Sequence, residues 1–200
     1  MDLGLMAMVF GAIFIVELPD KTFIAALVLS TRYRPLLVWI GVGLAFFVQT
    51  LIGVAAGGLL SLLPKTPVHV VAMLIFLAGS ILLFKSAPGA DAEEEAQEQE
   101  FAAKAVAGRT GWGAIGASFL VLFAAEWGDL SQLLTASMVA KHGHPVSVFV
   151  GAWLALLVVS GLAVLAGRAL LRYLRLSVIH YVGAAVCLLL AGVTAYTIFV

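Results

Sequence analysis

The segment LGLMAMVFGAIFIVELPDKTFIAALVL, residues 3–29, decides how the rest of the chain is interpreted. It is longer than the roughly 20 helical residues that cross the hydrocarbon core of a bilayer. Glu17, Asp20 and Lys21 nevertheless stand near its centre. The apolar run predicts a transmembrane helix, and ionisable side chains inside such a helix indicate a functional site.

The composition of the whole chain agrees with a membrane environment. Of its 200 residues, 63% are hydrophobic and 11% are charged, and the mean hydropathy is +1.13. A water-soluble domain of this length does not normally show such values. The net charge of zero gives no reason to expect nucleic acid as a partner. The single cysteine, Cys187, excludes an internal disulfide framework and a zinc ribbon.

Six apolar runs are separated by segments rich in proline, glycine and charge. We therefore predict an all-α integral membrane protein with six transmembrane helices. The predicted spans are 3–29, 36–63, 68–84, 113–140, 146–171 and 178–200. This gives a first three-helix repeat at 1–84, an acidic linker at 85–112 and a second three-helix repeat at 113–200.

The two halves resemble each other in their polar residues and prolines. A shift of 109 residues places Glu17, Asp20 and Thr22 on Glu126, Asp129 and Ser131. A shift of 110 places Pro35, Gly41 and Gly57 on Pro145, Gly151 and Gly167. Because each unit has an odd number of spans, the second unit must cross the membrane in the opposite direction. The sequence thus predicts two inverted repeats, as in many secondary transporters.

Positive charge is concentrated on one predicted side of the membrane. That side holds Arg32, Arg34, Lys85, Lys104, Arg109, Arg168, Arg172 and Arg175, and the other holds Lys65 and Lys141. The positive-inside rule then predicts that both termini lie outside and that the linker is cytoplasmic, as in a bacterial inner membrane protein. The N-terminal run has neither a basic start nor a cleavage site, so it is interpreted as a retained helix. The acidic residues 91–100 predict a solvated linker, with a cation-collecting or regulatory segment as the alternative.

Four acids lie inside predicted spans, and they form the candidate metal site: Glu17, Asp20, Glu126 and Asp129. An ionised Asp at the centre of a span costs about 2.5 to 3.5 kcal/mol. Residues at i and i+3 share a helix face, and pseudo-two-fold symmetry would bring both pairs together at the midplane. Clustered carboxylates avoid repulsion by holding protons or by binding cations. The site is therefore suited to exchanging protons for a metal ion.

Neighbouring residues predict how this site is completed. Pro19 and Gly128 favour a kink or break in the helix beside each acidic pair. Lys21 is interpreted as a salt-bridge partner, or as a stand-in for the cation in one transport state. The supporting oxygen donors are Thr22, Ser131, Gln132 and Gln49. An all-oxygen set favours Ca²⁺, Mg²⁺ or Mn²⁺ over copper or zinc.

The sequences Glu17-Leu-Pro-Asp-Lys-Thr22 and Glu126-Trp-Gly-Asp-Leu-Ser131 resemble a duplicated signature, E-x-G-D-K/R-S/T. It is the signature of a family that includes Golgi Ca²⁺/Mn²⁺:H⁺ exchangers and bacterial Mne-type manganese exporters. The resemblance implies a cation/proton antiporter whose motif acids form the ion site. The first copy has Pro19 in place of the glycine, and the second has Leu130 in place of the basic residue.

We therefore expect a secondary transporter, not an enzyme, that exports Mn²⁺ or Ca²⁺ in exchange for protons. Its expected partners are the divalent cation and the lipid bilayer, no cofactor is expected, and a homodimer is one open prediction for its assembly. Three alternatives remain at this point: an intramembrane aspartyl protease, a passive channel or assembly factor, and an exporter of basic amino acids.

Overall fold

The computed structural model describes residues 1–18, 20–105, 110–173 and 176–199, and over these residues it contains helices and no β-strand. The predicted all-helical fold is confirmed. The helices are α1 (Leu3–Glu17), α2 (Lys21–Arg32), α3 (Pro35–Leu60), α4 (Lys65–Ser86), α5 (Ala90–Lys104), α6 (Trp112–Ala125), α7 (Leu130–His142), α8 (Pro145–Tyr173) and α9 (Leu176–Phe199). A 3-10 turn, Ala87–Gly89, connects α4 to α5.

Several of these helices are long and apolar enough to span a membrane. Within the described residues, three segments qualify singly: Pro35–Leu60, Thr66–Gly89 and Pro145–Leu165. Two more spans are obtained if α1 with α2, and α6 with α7, are each counted as one bent span. The apolar part of α9, His180–Tyr196, is shorter. The count of six spans and the inversion of the repeats stay predictions.

The helix boundaries follow from local backbone chemistry. The side chain of Asp2 caps α1 by accepting a hydrogen bond from the amide of Leu5 at 3.0 Å. Pro35 and Pro145 begin α3 and α8, where the N–H that proline lacks has no helical partner to lose. Gly143 ends α7 with φ of +67°, a left-handed conformation that glycine adopts without strain. The segments rich in proline and glycine that separate the predicted spans thus contain residues at which helices begin and end.

The predicted first and fourth spans are each broken in two. The axes of α1 and α2 differ by 70°, and those of α6 and α7 by 71°. In the second break, Gly128 has φ of +77°, which an α-helix cannot accommodate. This agrees with the predicted break at that glycine. The corresponding prediction for Pro19 lies outside the described residues.

The two halves are locked together where a long helix of one crosses the first helix of the other. A Cβ atom on Gly41 of α3 would collide with the carbonyl oxygen of Ile115 in α6. A Cβ atom on Gly151 of α8 would collide in the same way with the carbonyl oxygen of Met6 in α1. Gly41 and Gly151 are the positions that match under the 110-residue shift. Close backbone approach at small residues is typical of helix packing in membranes.

The bundle exposes many large apolar side chains and buries several polar ones within its apolar core. Buried positions include Glu17, Gln49, Ser118, Glu126 and Thr135. Large apolar side chains such as Leu44, Leu51, Leu74, Leu82, Leu120 and Leu189 are exposed. Since apolar side chains gain nothing from contact with water, this surface is suited to lipid.

The acidic linker is more ordered than a simple solvated connection. Helix α4 runs to Ser86, past the predicted boundary at residue 84, and the acidic run forms α5. Glu95, Glu98 and Glu100 are exposed, as a solvated linker requires. However, α5 also packs against α2, and its Phe101 is buried. The prediction of a solvated linker therefore fits the face of α5 that carries the exposed acids, but not the face that carries Phe101.

Some of the basic residues used for the orientation fall outside the described part of the chain. Arg32, Arg34, Lys85 and Lys104 are described, and all four are exposed. Those that lie outside the described residues or side chains are Lys65, Arg109, Arg168, Arg172 and Arg175.

Gly57 and Gly58 of α3 provide a matched test of the packing between α3 and α7. A Cβ atom at position 57 would collide with the carbonyl oxygen of Ala136 and lie 2.7 Å from Cβ of Val139, whereas one at position 58 meets nothing within 4 Å. We expect Gly57→Ala to destabilise the protein by about 1 to 3 kcal/mol, the usual cost of overpacking. Gly58→Ala should be neutral or stabilising because alanine is the better helix former. Thermal unfolding midpoints in detergent would measure both, and equal midpoints would contradict this packing.

Candidate cation site

The four predicted acids lie at the two helix breaks, in equivalent positions. Glu17 is the last residue of α1 and Glu126 is the C-cap of α6. Asp20 and Asp129 are the N-caps of α2 and α7, and neither side chain caps its own helix. Within each break the Asp amide donates a hydrogen bond to the Glu carbonyl, at 3.1 Å in the first and 3.2 Å in the second. The same turn thus presents one Glu and one Asp from each half.

Three of the four carboxylates converge. One oxygen from each of Glu17, Glu126 and Asp129 lies within 4.8 Å of the other two. Glu17 is 1% exposed and Glu126 is 2% exposed, so two of these groups are removed from solvent. Burial of several carboxylates is costly unless protons or a cation neutralise them. The spacing is compatible with one cation shared by all three groups.

Asp20 lies beside this cluster but outside the group of three. Its Oδ2 atom is buried and has no hydrogen-bond partner. Oε1 of Glu126 is likewise buried and has no hydrogen-bond partner. Buried acceptors without partners are rare in native proteins because desolvation is then uncompensated. Each acidic pair therefore contributes one oxygen that still needs a proton or a cation.

The hydroxyl groups of Thr22 and Ser131, which the sequence predicts as oxygen ligands of the cation, donate hydrogen bonds to the buried glutamates. Thr22 Oγ1 donates a hydrogen bond to Glu17 Oε2 at 3.1 Å, and Ser131 Oγ donates one to Glu126 Oε2 at 3.4 Å. The same separation of five residues occurs in both halves. Each hydroxyl engages one carboxylate oxygen. Each hydrogen bond restrains the carboxylate that accepts it.

Lys21 connects the two halves at the site. Its Nζ atom lies 3.3 Å from Oδ1 of Asp129, and the two side chains are 33% and 19% exposed. The ammonium group is thus partly buried, and it neutralises one of the converging carboxylates. This geometry is the one expected if Lys21 is a salt-bridge partner of the motif acids. An ammonium ion held there also competes for an oxygen that a metal ion would use.

Gln49 and Gln132 act on the backbone of the second break. Gln132 Nε2 donates to Oε1 of Gln49 at 2.7 Å, and Gln49 Nε2 donates to the carbonyl oxygen of Phe123 at 2.8 Å. The amide of Gly128 in turn donates to Oε1 of Gln132 at 3.1 Å. Both glutamines were predicted to support the cation site. In the structure they fix the end of α6 and the turn after it, and their role toward a cation stays a prediction.

A cavity of about 260 Å³ reaches the acidic cluster from the linker side. Its acidic and basic lining consists of Glu17, Asp20, Lys21 and Asp129. Glu126 lies instead on a void of about 10 Å³, which it shares with Gln49, Thr50, Ser131, Gln132 and Thr135. The cluster is therefore open toward one side and nearly closed toward the other.

Three polar residues that line this cavity were not predicted as part of the site. They are Ser86 at the end of α4, Gln97 of α5 and His180 of α9. The acidic run around Gln97 suggested solvent exposure, so its sequence gave no signal for a partly buried glutamine. His180 has a sequence counterpart in His69, 111 residues earlier. His69 lies in a different pocket, of about 390 Å³, with Lys141 and His142.

Comparison with known proteins now identifies the family. The family described as "Divalent cation/proton antiporter GDT1" matches residues 5–91 and 114–199. The chain belongs to the GDT1 family. Each matched segment contains one Glu–Asp pair of the cluster. The resemblance noted in the sequence is confirmed, and so is the prediction of a transporter and not an enzyme, which removes the aspartyl protease alternative.

Relatives of this GDT1 family member occur in cyanobacteria and plants. GDT1-like protein sll0615 of Synechocystis sp. is 29% identical over 189 residues, which cover 90% of this chain and 91% of the relative. The chloroplast protein PAM71 of Arabidopsis thaliana is 32% identical over 207 residues, covering 94% of this chain and 55% of the relative. The chain thus spans little more than half the length of this plant relative. No solved structure matches the chain.

The ion pair between Lys21 and Asp129 yields a test of how the cluster binds cations. Lys21→Met removes one positive charge from the cavity, so it should strengthen Mn²⁺ binding, with each 1.4 kcal/mol giving about a tenfold lower Kd. Lys104→Met is the matched control because Lys104 pairs with exposed Glu100 on α5. Isothermal titration of the detergent-solubilised chain with Mn²⁺ would measure both variants. Weaker binding by Lys21→Met would mean that the lysine is needed to position Asp129.

Proposed function

We propose that this GDT1 family member exports a divalent cation from the cytoplasm in exchange for protons, with Mn²⁺ as the first candidate and Ca²⁺ as the second. The observation that carries the proposal is the convergence of Glu17, Glu126 and Asp129 within 4.8 Å at two helix breaks. Carboxylate, hydroxyl and amide oxygens are hard ligands that suit these ions. The preference for Mn²⁺ rests on the likeness of the motifs to bacterial manganese exporters.

Exchange follows from competition for the same oxygens. When the cation leaves, the buried carboxylates must be neutralised in another way, and protons do this at the lowest cost in an apolar interior. When the cation binds, it displaces those protons. The unpartnered oxygens of Asp20 and Glu126 are the atoms where this competition takes place. Thr22 and Ser131 hold the other oxygens of the glutamates and keep the geometry fixed during exchange.

The helix ends contribute to the electrostatics of the site. Helices α1 and α6 end at Glu17 and Glu126 of the cluster, and the carbonyl groups of a helix C-terminus carry partial negative charge that favours a cation. The N-termini of α2 and α7 carry partial positive charge beside Asp20 and Asp129. Broken helices in transporters combine these two effects at the substrate site. The proposed site uses both ends of both breaks.

The proposed orientation places the linker and the larger cavity on the cytoplasmic side of a bacterial inner membrane, with both termini outside. Support comes from the basic residues Arg32, Arg34, Lys85 and Lys104, which are exposed and which the sequence assigns to the same side as the linker. The cavity of about 260 Å³ then gives the cytoplasm access to the acids. We further propose that the two halves are inverted repeats that move against each other to expose the cluster alternately.

Proteoliposomes containing an internal pH indicator test this proposal. Addition of Mn²⁺ outside should drive protons out of the vesicles, Ca²⁺ should do so less effectively, and Mg²⁺ least. Asp20→Asn and Asp129→Asn should abolish this proton movement because each removes an exchangeable carboxylate. Glu98→Gln, which alters an exposed acid of α5, is the control and should behave as the native chain.

The outcomes separate the alternatives that remain. If no divalent ion moves protons, or if Asp20→Asn matches Glu98→Gln, the proposed exchange is wrong. Equal Mn²⁺ uptake with and without a proton gradient would instead favour a passive channel. Proton movement driven by lysine or arginine, but not by metal ions, would identify an exporter of basic amino acids.

A further inference from the structure

Helix α5 covers the linker-side cavity with one particular face. Ala90, Gln97 and Phe101 are separated by seven and four residues, which places them within about 40° of one another around a helix. Ala90 and Gln97 line the cavity, and Phe101 is packed in the core at 3% exposure. The acids Glu95, Glu98 and Glu100 are exposed. The helix is therefore docked with a defined face toward the acidic cluster.

Gln97 is a polar residue of this docked face, and its amide oxygen is not satisfied. Oε1 of Gln97 is buried and has no hydrogen-bond partner. It lines the same cavity as Asp20, whose Oδ2 is also buried and without a partner. Each of these two acceptors needs a donor or a cation to satisfy it. A neutral amide oxygen is an ordinary ligand for Ca²⁺, Mg²⁺ and Mn²⁺.

The position of α5 explains why this ligand matters for the route of the ion. The cavity is lined both by Ser86, Ala90 and Gln97 and by the carboxylates of Glu17, Asp20 and Asp129. An ion that reaches the carboxylates through this cavity therefore passes through a space to which α5 contributes. An amide oxygen at this point replaces part of the hydration shell that the ion gives up. This lowers the cost of moving the ion from water to the buried cluster.

We infer that α5 belongs to the cation-binding site and that Gln97 supplies an amide oxygen ligand to the ion at the linker-side mouth of the cavity. This inference rests on the proposed function, since it assigns a further ligand to the same divalent cation. The linker then contributes a ligand to the binding site and also connects the two halves. Because a neutral amide holds no exchangeable proton, Gln97 contributes to metal affinity without taking part in proton exchange.

Isothermal titration of the full-length chain in detergent with Mn²⁺ tests the inference. Gln97→Leu should weaken binding by about tenfold, the effect of losing one contact to a charged group. Gln97→Glu keeps an oxygen at this position, so it should bind Mn²⁺ at least as tightly as the native chain. Gln99→Leu is the matched control because Gln99 is an exposed glutamine of the same helix. Asp20→Asn serves as the reference for loss of the site itself.

Proton release gives an independent readout. Titrations repeated in buffers of different ionisation enthalpy report the number of protons displaced per Mn²⁺. That number should be the same for Gln97→Leu and the native chain, and lower for Asp20→Asn. A change in proton number for Gln97→Leu would mean that this variant disturbs the carboxylates, which would overturn the assignment of Gln97 as a separate ligand.

The remaining outcomes separate this inference from the proposed function. If Asp20→Asn loses Mn²⁺ binding while Gln97→Leu matches Gln99→Leu, the cation site stands and the role of Gln97 is wrong. If Gln97→Glu weakens binding as much as Gln97→Leu, the residue acts as a hydrogen-bond donor or by packing, and the inference also fails. If the native chain binds no divalent ion, both the inference and the proposed function fall.

Discussion

The structure depends on how negative charge is accommodated inside an apolar helical bundle. Glu17 and Glu126 are almost completely buried, and Asp20 and Asp129 lie next to them at the same helix breaks. Among the described residues that contact this cluster, Lys21 is the one that brings positive charge to it. The hydroxyls of Thr22 and Ser131 each satisfy one carboxylate oxygen. The remaining oxygens require protons or a cation, which makes the cluster suited to the exchange proposed for it.

The close crossings of the helices keep these acids together. Gly41 and Gly151 allow α3 to contact the backbone of α6, and α8 to contact that of α1. Each crossing fixes the first helix of one half against the other half, and that first helix ends at a glutamate of the cluster. Residues larger than glycine at these two positions would separate the helices. Packing far from the acids therefore determines the distance between them.

Much of this arrangement can be predicted from the sequence, because its main signals are strong. Charged residues in long apolar runs predicted the site, and the repeated Glu–Asp pairs predicted that both halves contribute to it. Segments rich in proline, glycine and charge predicted the boundaries between helices, and Pro35, Gly143 and Pro145 lie at such boundaries. The bond between Lys21 and Asp129 could not be derived, because either aspartate was an equally good partner. Nor could the docked face of α5, since a single glutamine and a single phenylalanine among acids give no period that distinguishes it from a solvated helix.

The two halves differ chemically despite their shared pattern, and this difference bears on how the site opens. At the break of the second half, Gln49 of α3 and Gln132 of α7 hold the end of α6 and the turn at Gly128. The shifts of 109 and 110 residues place Phe23 and Val159 at the corresponding positions, and both are buried and apolar. The α6–α7 break is thus held by directional hydrogen bonds, while the α1–α2 break has apolar packing at the matching positions.

Apolar side chains slide past each other at lower free-energy cost than hydrogen bonds break in a dry interior. The asymmetry agrees with the position of the larger cavity, which lies beside Asp20 and Lys21 at the α1–α2 break, while the side held by the glutamines is nearly closed.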